Sequence, residues 1–380
     1  FITTLAGYVH WQLTGEKVIG IGDASGMFPI DERISNYNQD MMLKFSSLKS
    51  VQQYQWHIGE ILPKPLQAGQ YGGILTEKGA LLLDPTGDLE AGSLIAPPEG
   101  DAGTGMVATN SVKKRTGNIS VGTSIFSMIV LEKSLEHVYN NIDIVTTPTG
   151  LPVAMVHANN SASDLNAWAK LFSEFAHKIG NDIETNKLYE VIFNAALNEA
   201  EPDAGGISGY GYYSGENITS IPEGRPLLVR QPDSKLTLGN LMRMHLFTAF
   251  GAIKIGMRLL EDEHVLTDNI MAQGGVFKTP IVAQKLLAAA LHTDVTVMKT
   301  AGEGGPWGMA LLALFAINKT ENTSLDEFLD NKVFVNQESE TLSPDVKDVE
   351  GFEIFMKRYI AGLEIELAAV KNLPARKGNK

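Results

Sequence analysis

The chain has 380 residues and a formal net charge of −13, with 44% hydrophobic and 20% charged residues, the balance of an ordinary globular protein. The acidic charge argues against nucleic acid or an anionic membrane as partner, since both select basic surfaces. The absence of cysteine excludes disulfides, thiolate catalysis and zinc–thiolate sites. No apolar run reaches the roughly 18 residues that a membrane span needs.

Length and the first residues set the expected organisation. A single core rarely grows past about 250–300 residues, so the length predicts two domains. The start, FITTLAGYVH, lacks an initiator Met, a basic leader and a cleavage site. We therefore expect a cytoplasmic protein whose sequence begins as if cut from a longer one.

Residues 1–115 alternate short apolar runs with glycine, proline and aspartate. The run Ala80–Asp84 (ALLLD), followed by Pro85 and Gly87, predicts a strand that enters a turn. From Asn118 the sequence NISVGTSIFSMIVLEK predicts a β-hairpin whose turn is Gly-Thr-Ser.

Helices dominate the rest of the chain. Apolar residues at helical spacing, with capping residues before them and glycine after them, define these helices. A strand over Asp294–Met298 interrupts them, and the alternation favours an α/β fold. The tail Pro374–Lys380 is expected to be disordered. The predicted helices are Asp164–Lys178, Glu184–Leu197, Thr237–Leu260, Pro280–His292 with Thr279 as its cap, Trp307–Ile317, and a closing helix within Ser343–Leu373.

One motif is misleading. Gly20-Ile-Gly22-Asp-Ala-Ser-Gly26 is similar to a dinucleotide-binding loop, but Ser25 stands where the third glycine belongs. Pro29 also falls where the helix of such a motif should continue. Ser25 and Pro29 therefore disfavour a dehydrogenase. The sequence has no P-loop either.

A glycine-flanked carboxylate is the first candidate site. Asp101 lies in EGDAGTG at 99–105, where a helix is expected to begin. An aspartate there can take the proton of an attacking hydroxyl, and can hold Mg²⁺ through water. On local sequence alone a plain turn remains the stronger interpretation.

Two further loops could bind a nucleotide. The hairpin turn, Gly122, Thr123 and Ser124, offers backbone N–H groups and hydroxyls to an anion, although on local sequence alone an ordinary turn is the stronger interpretation. The segment QGGVFKT at 273–279 precedes a predicted helix, and a second glycine loop follows from Ala301. Separated by one helix and one strand, these two glycine loops are expected to form two walls of one cleft.

The order of these motifs resembles the FGGY family of carbohydrate kinases. The matching segments are GDAGTG at 100–105, SVGTS at 120–124, GGVFKT at 274–279 and AGEGGPWGMALLA from 301. LTG at 13–15 and DASG at 23–26 are similar to the sugar-side segment of the same family. No single motif is specific, but the ordered set extends from Gly7 to Leu373.

The resemblance implies an α/β protein with two ribonuclease-H-like (actin-like ATPase) lobes and ATP·Mg²⁺ between them. Residues 1–113 would be the remainder of the sugar lobe, and 114–373 the nucleotide lobe. Asp101 matches the general base, beside Gly100 on the substrate side. Asp23 is a candidate for the pocket rim, with a structural role as the alternative. The implied phosphate and nucleotide contacts are Gly122, Thr123, Ser124, Gly274, Gly275, Lys278, Gly302, Glu303 and Gly304.

The sequence also departs from the family. These kinases open with a strand and an Asp-x-Gly-Thr phosphate loop, and no such segment precedes Leu13. We therefore expect the first lobe to be incomplete. The region 206–225 is most similar to xylulose kinases, while ribulose, gluconate and other polyols stay open. An exposed apolar helix over Leu311–Ile317 would permit a homodimer.

Two other functions remain. A non-catalytic nucleotide-binding scaffold or sensor could share the fold, although it has no need for a base at Asp101. A plain ATPase, with water as the nucleophile, is the other. Stimulation of turnover by a sugar distinguishes the kinase from both.

Overall fold

Short strands and helices make up residues 1–115 of the computed structural model, which describes residues 1–298, 304–321 and 323–374. Strands β1 (Val18–Gly20) and β4 (Lys64–Leu66) pair in parallel, and β2 (Ile30–Asp31) pairs antiparallel with β3 (Asn36–Tyr37). The helices of this part are α1 (Leu5–Thr14), α2 (Ile21–Met27), α3 (Gln39–Ser46), α4 (Lys49–Gln52), α5 (Ile58–Ile61), α6 (Glu77–Leu83) and α7 (Asp101–Ala108).

The predicted strand over Ala80–Asp84 is wrong, because residues 80–83 belong to α6 and Asp84 is its C-cap. Thr76 begins the helix, and its hydroxyl accepts the N–H of Gly79 at 3.0 Å. A short apolar run cannot separate strand from helix by periodicity. The N-cap threonine was the local signal for a helix.

A seven-stranded mixed sheet organises the remainder. Its strands are β5 (Thr116–Val121), β6 (Ile125–Val130), β7 (Asp143–Thr146), β8 (Pro152–Ala158), β11 (Asn269–Gly274), β12 (Asp294–Met298) and β13 (Ser339–Leu342), while β9 (Ser208–Tyr210) and β10 (Leu227–Val229) form a separate pair. The strand order is β13-β12-β11-β5-β6-β8-β7. The predicted hairpin is confirmed as β5–β6, and the predicted strand 294–298 as β12.

Strand direction places three loops at one edge of the sheet. The neighbouring strands β5, β11 and β12 are parallel, with Val121 opposite Gly274 and Ala272 opposite Val297. Their carboxyl ends therefore meet at the same edge, where ligands bind in α/β sheets. The five strands β8-β6-β5-β11-β12, with β6 antiparallel to its neighbours, form the ribonuclease-H-like core that was expected.

Helices cover the sheet, and most of the predicted helix positions are confirmed. They are α8 (Ser163–Lys178), α9 (Thr185–Asn198), α10 (Leu238–Asp262), α11 (Val282–Leu291), α12 (Gly304–Asn318), α13 (Leu325–Phe328), α14 (Val346–Ala361) and α15 (Leu363–Asn372), with a 3₁₀ turn at Gly275–Lys278 and a π turn at Leu329–Val333. None of the helices within the described residues has the length and apolar character that crossing a bilayer demands.

The start of α11 corrects a prediction. Thr279 does not cap a helix from Pro280, because the helix begins at Val282 and its N-cap position is Ile281. Ile281 has a φ of +72°, a conformation that a β-branched residue rarely adopts. Pro280 therefore lies in a sharp bend between the glycine loop and the helix.

Two apolar clusters cover the two faces of the sheet. The larger contains the inner faces of α8 to α11 and α14. The smaller joins Met106 and Val107 of α7 to Leu311, Leu312 and Phe315 of α12. The exposed apolar helix predicted over 311–317 is therefore mostly buried, and only Leu314 and Ile317 of its large apolar side chains are exposed. The division at residue 113 stays a prediction.

Candidate active site

The β5–β6 turn presents its backbone at the edge of the sheet. The N–H of Gly122 donates to the carbonyl of Ser124 at 2.8 Å, which closes the turn. Two N–H groups just before α8 hold the turn in place. Ser161 donates to the Thr123 carbonyl at 3.0 Å, and Ala162 donates to the Gly122 carbonyl at 3.1 Å. Gly122 and Thr123 are exposed. The turn is thus a rigid, open surface for an anion.

The glycine loop after β11 lies directly beside this turn. Gly274 has a φ of +124°, and a Cβ atom there would lie 2.0 Å from the carbonyl oxygen of Val121. Only glycine allows the two strand ends to approach so closely. A Cβ on Gly275 would meet nothing within 4 Å. The structure therefore brings together two loops that the sequence places about 150 residues apart.

Two adjoining cavities open at these loops. The larger, of about 1140 Å³, has Gly274, Gly304 and residues 337–340 in its wall. The smaller, of about 620 Å³, extends from Gly122 and Thr123 to α8 and α9. The smaller volume lies within the range of about 300–1,000 Å³ that is typical of small-molecule sites, and the larger slightly exceeds it. Four residues line both cavities: Gly275, Lys278, Thr279 and Pro280.

The sequence predicted only part of these walls. Gly304 lines the larger cavity as expected, while Gly302 and Glu303 lie outside the described residues. The α9 side of the smaller cavity, with Thr185, Tyr189 and Phe193, was not predicted. Its residues have helical periodicity and carry no local motif, so no sequence signal marked them.

Asp101 is the first residue of α7, and its side chain is at an exposed position. One turn later, Thr104 supports the start of α12. A Cβ on Gly305 would lie 3.1 Å from Thr104 Oγ1, and one on Gly308 would lie 1.9 Å from the Thr104 carbonyl oxygen. Because Gly304 lines the larger cavity, this contact connects the start of α7 to the wall of that cavity.

Asp23 lies beside the same loop. A Cβ on Gly100 would be 3.0 Å from Asp23 Oδ1. The hydroxyl of Thr4 donates to Asp23 Oδ2 at 2.6 Å. Burial raises the pKa of Asp23, the Thr4 hydrogen bond opposes the rise, and the negative charge of Asp101 adds to it. The structure therefore brings Asp23, Gly100 and Asp101 together, as the substrate-side candidates require.

Glu99 is a third carboxyl group at this place. It is only 8% exposed, and burial raises its pKa to about 8. The N–H groups of Gly22 and Asp23 donate to its two oxygens. Its neighbours are distant in sequence, so its position could not be predicted from the motif that contains it.

A magnesium site is not built from side chains alone. The described residues contain no group of three or more His, Asp or Glu side chains that could hold a metal ion. Mg²⁺ keeps several waters and takes its other ligands from one or two carboxylates and substrate phosphates. Asp101, the exposed carboxylate at the start of α7, fits that single-carboxylate pattern.

Comparison with known proteins decides the family. The model of the C-terminal domain of the FGGY family of carbohydrate kinases matches residues 117–317, more than half of the chain. The chain belongs to this family. The expected resemblance is thereby confirmed.

Individual relatives agree with this assignment. A xylulose kinase of Haemophilus influenzae is 22% identical over 363 residues, which cover 94% of this chain and 66% of the relative. The chain thus spans about two thirds of that relative's length.

Solved structures share the fold. Xylulose kinase of Rhodospirillum rubrum has a TM-score of 0.70 at 18% identity, over 95% of this chain and 67% of that one. Gluconate kinase of Lactobacillus acidophilus has 0.71 at 16%, over 97% and 68%. Glycerol kinase of Plasmodium falciparum has 0.68 at 14%, over 96% and 66%. The α/β fold expected for this chain is confirmed.

Proposed function

We propose that this protein transfers the γ-phosphoryl group of ATP to a hydroxyl group of a small sugar, a ketopentose such as xylulose, with Asp101 as the general base. One observation carries the proposal. Asp101 begins a helix whose next turn packs against Gly305 and Gly308, directly beside Gly304, the first residue of α12, which lines the larger cavity. One contact thus links the helix that begins with the proposed base to the proposed nucleotide-binding residues.

The residues at the cleft suit phosphoryl transfer, which needs positioning and charge stabilisation more than covalent help from the protein. The turn at 122–124 would bind phosphate oxygens through N–H and hydroxyl groups. Gly274, Gly275 and Lys278 would hold the nucleotide from the other side. Mg²⁺ would arrive on the ATP phosphates and neutralise their charge, with Asp101 reaching it through water.

On the sugar side, Asp101 would accept the proton of the attacking hydroxyl. Gly100 leaves room for the sugar to approach, and Asp23 lies within reach of a second hydroxyl. The H. influenzae relative is a xylulose kinase, which supports the choice of a ketopentose. Gluconate and glycerol kinases share the fold, so both substrates belong in the assay.

ADP release tests the proposal. The protein is assayed with Mg·ATP and, in turn, D-xylulose, L-ribulose, gluconate and glycerol. We expect ADP formation that depends on the sugar and is strongest with a ketopentose. ADP formation that no sugar stimulates would indicate an ATPase. Binding of ATP with no turnover on any acceptor would indicate the scaffold.

Substitution of the base completes the test. Asp101→Asn should lower turnover at least ~10²-fold, the lower limit for loss of a general base. Affinity for ATP should change little, because Asp101 lies outside the walls of both cavities. Asp88→Asn is the matched control, since Asp88 is exposed in a surface turn. Undiminished turnover in Asp101→Asn would remove Asp101 from the role of base.

A further inference from the structure

Glu99 connects two helices that carry the substrate-side carboxylates. The N–H of Gly22 donates to Glu99 Oε1 at 3.1 Å, and the N–H of Asp23 donates to Oε2 at 2.9 Å. Both donors lie in the first turn of α2, whereas Glu99 lies two residues before α7 begins. The carboxyl group therefore joins the start of α2 to the start of α7.

Glycines at both helices leave room for the Glu99 carboxyl group. A Cβ on Gly20 would lie 2.3 Å from Oε1, one on Gly22 would lie 2.6 Å from Oε2, and one on Gly103 would lie 3.2 Å from Oε2. The first two distances leave no room for any other residue type while the Glu99 carboxyl group keeps this position. The site that holds the Glu99 carboxyl group is thus shaped to fit it. It is formed by Gly20 and Gly22 at α2 and by Gly103 within α7.

The α2 helix gives this link a fixed support. The N–H of Thr146, the last residue of β7, donates to Ser25 Oγ at 3.0 Å, and its hydroxyl donates to the Ile21 carbonyl at 3.1 Å. These bonds attach α2 to the edge of the seven-stranded sheet. A side chain that binds α2 therefore fixes the position of its own loop relative to the sheet.

We propose that Glu99 is a positioning residue, which holds the carboxylates of Asp23 and Asp101 side by side so that they receive neighbouring hydroxyl groups of the sugar. This inference rests on the proposed function. Glu99 acts through the Asp23 N–H and through the loop that contains Gly100, against which Asp23 Oδ1 packs. The turn at Gly122 and the loop at Gly274 follow β5 and β11 instead, so the effect of Glu99 should be larger on the sugar than on ATP.

The decisive variant is Glu99→Gln, which keeps the shape but turns an NH₂ group toward one of the two N–H donors. A displacement of about 1 Å in a positioned group can cost about 10²-fold in rate. We expect kcat/KM for the sugar to fall by about that factor, with a smaller change in KM for ATP. Glu366→Gln is the matched control: Glu366 is fully buried within α15 and accepts the Arg225 N–H at 2.6 Å.

Two further variants separate positioning from mere support. Gly103→Ala places a Cβ 3.2 Å from Glu99 Oε2 and 3.3 Å from Pro148 Cγ, and should lower kcat/KM for the sugar in the same direction. The double variant Glu99→Gln/Asp23→Asn should be no worse than the more impaired single variant, because residues acting as one unit are not additive. Additive losses, or equal losses for sugar and ATP, would overturn the proposal.

Amide hydrogen exchange tests the link without any activity. In Glu99→Gln, exchange should accelerate in both 20–27 and 101–108, and in neither segment of Glu366→Gln. Unchanged exchange in either segment of Glu99→Gln would refute the link between α2 and α7. A wild-type protein that phosphorylates no sugar would refute the proposed function alone, since the exchange result is read independently.

Discussion

Two neighbouring glycines allow a sharp test of how the nucleotide edge is built. Gly274 has a φ of +124°, and a Cβ added there would lie 2.0 Å from the Val121 carbonyl oxygen. Gly275, the next residue, would place a Cβ in open space beside both cavities. Alanine should therefore lower the free energy of unfolding at position 274 and leave it nearly unchanged at position 275.

For Gly274→Ala the cost has two parts. A residue forced into a backbone conformation reserved for glycine costs about 1–3 kcal/mol, and overpacking against a rigid strand costs about 1–3 kcal/mol more. The free energy of unfolding should fall by about 2–6 kcal/mol, a large share of the 5–15 kcal/mol typical of a domain. The strand end must also separate from Val121, which deforms both loops at once.

For Gly275→Ala the free energy of unfolding should be close to that of the wild type. Its methyl group would stand in the path of a ligand, so KM for ATP should rise while the sugar KM does not. Urea unfolding and steady-state kinetics on both variants measure these quantities. If Gly274→Ala were as stable as Gly275→Ala, the close approach of β5 and β11 would be refuted.

Two predictions concern the buried core. Arg243→Met should destabilise the protein by about 3 kcal/mol, the lower end for breaking a buried pair, because the buried Asp348 loses the Arg243 guanidinium at 2.9 Å and keeps Lys285 at 3.4 Å. Arg258→Met, whose pair with Glu353 is about one-third exposed on each side, should cost about 0–1 kcal/mol in the same urea titration. Burial lowers the pKa of His245 from 6.5 to about 4, so the unfolded chain takes up this proton first and stability should fall as pH drops from about 6.5 to about 4. Urea unfolding at several pH values should show this component in the wild type and not in His245→Gln; identical pH dependence would contradict it.

Features set by neighbouring residues were predictable from the sequence. The β5–β6 hairpin, the strand 294–298 and the helix that Thr237 begins follow from β-branched runs, a turn and an N-cap, and the structure has them within a few residues. The order of four loop motifs was enough to indicate the family, although each motif alone is ambiguous.

Local ambiguity explains the errors. The run 80–84 is apolar and short, so its helical state depended on the cap at Thr76 and on packing against α1. The helix after the glycine loop begins later than Pro280 suggests, because the chain first bends at Ile281, with its positive φ. In both places the local sequence allowed more than one secondary structure, and the neighbouring residues decided which one forms.

What the sequence by itself determined was therefore the elements, the order of the loops and the family. Only the tertiary structure decided which residues share the cleft. Parallel pairing of β5 and β11 places Gly274 opposite Val121, next to Gly122, and the Glu99 carboxyl group binds the N–H of Asp23, 76 residues earlier in the chain. Such contacts depend on strand register and on empty space left by glycines, and neither is written in any short stretch of residues.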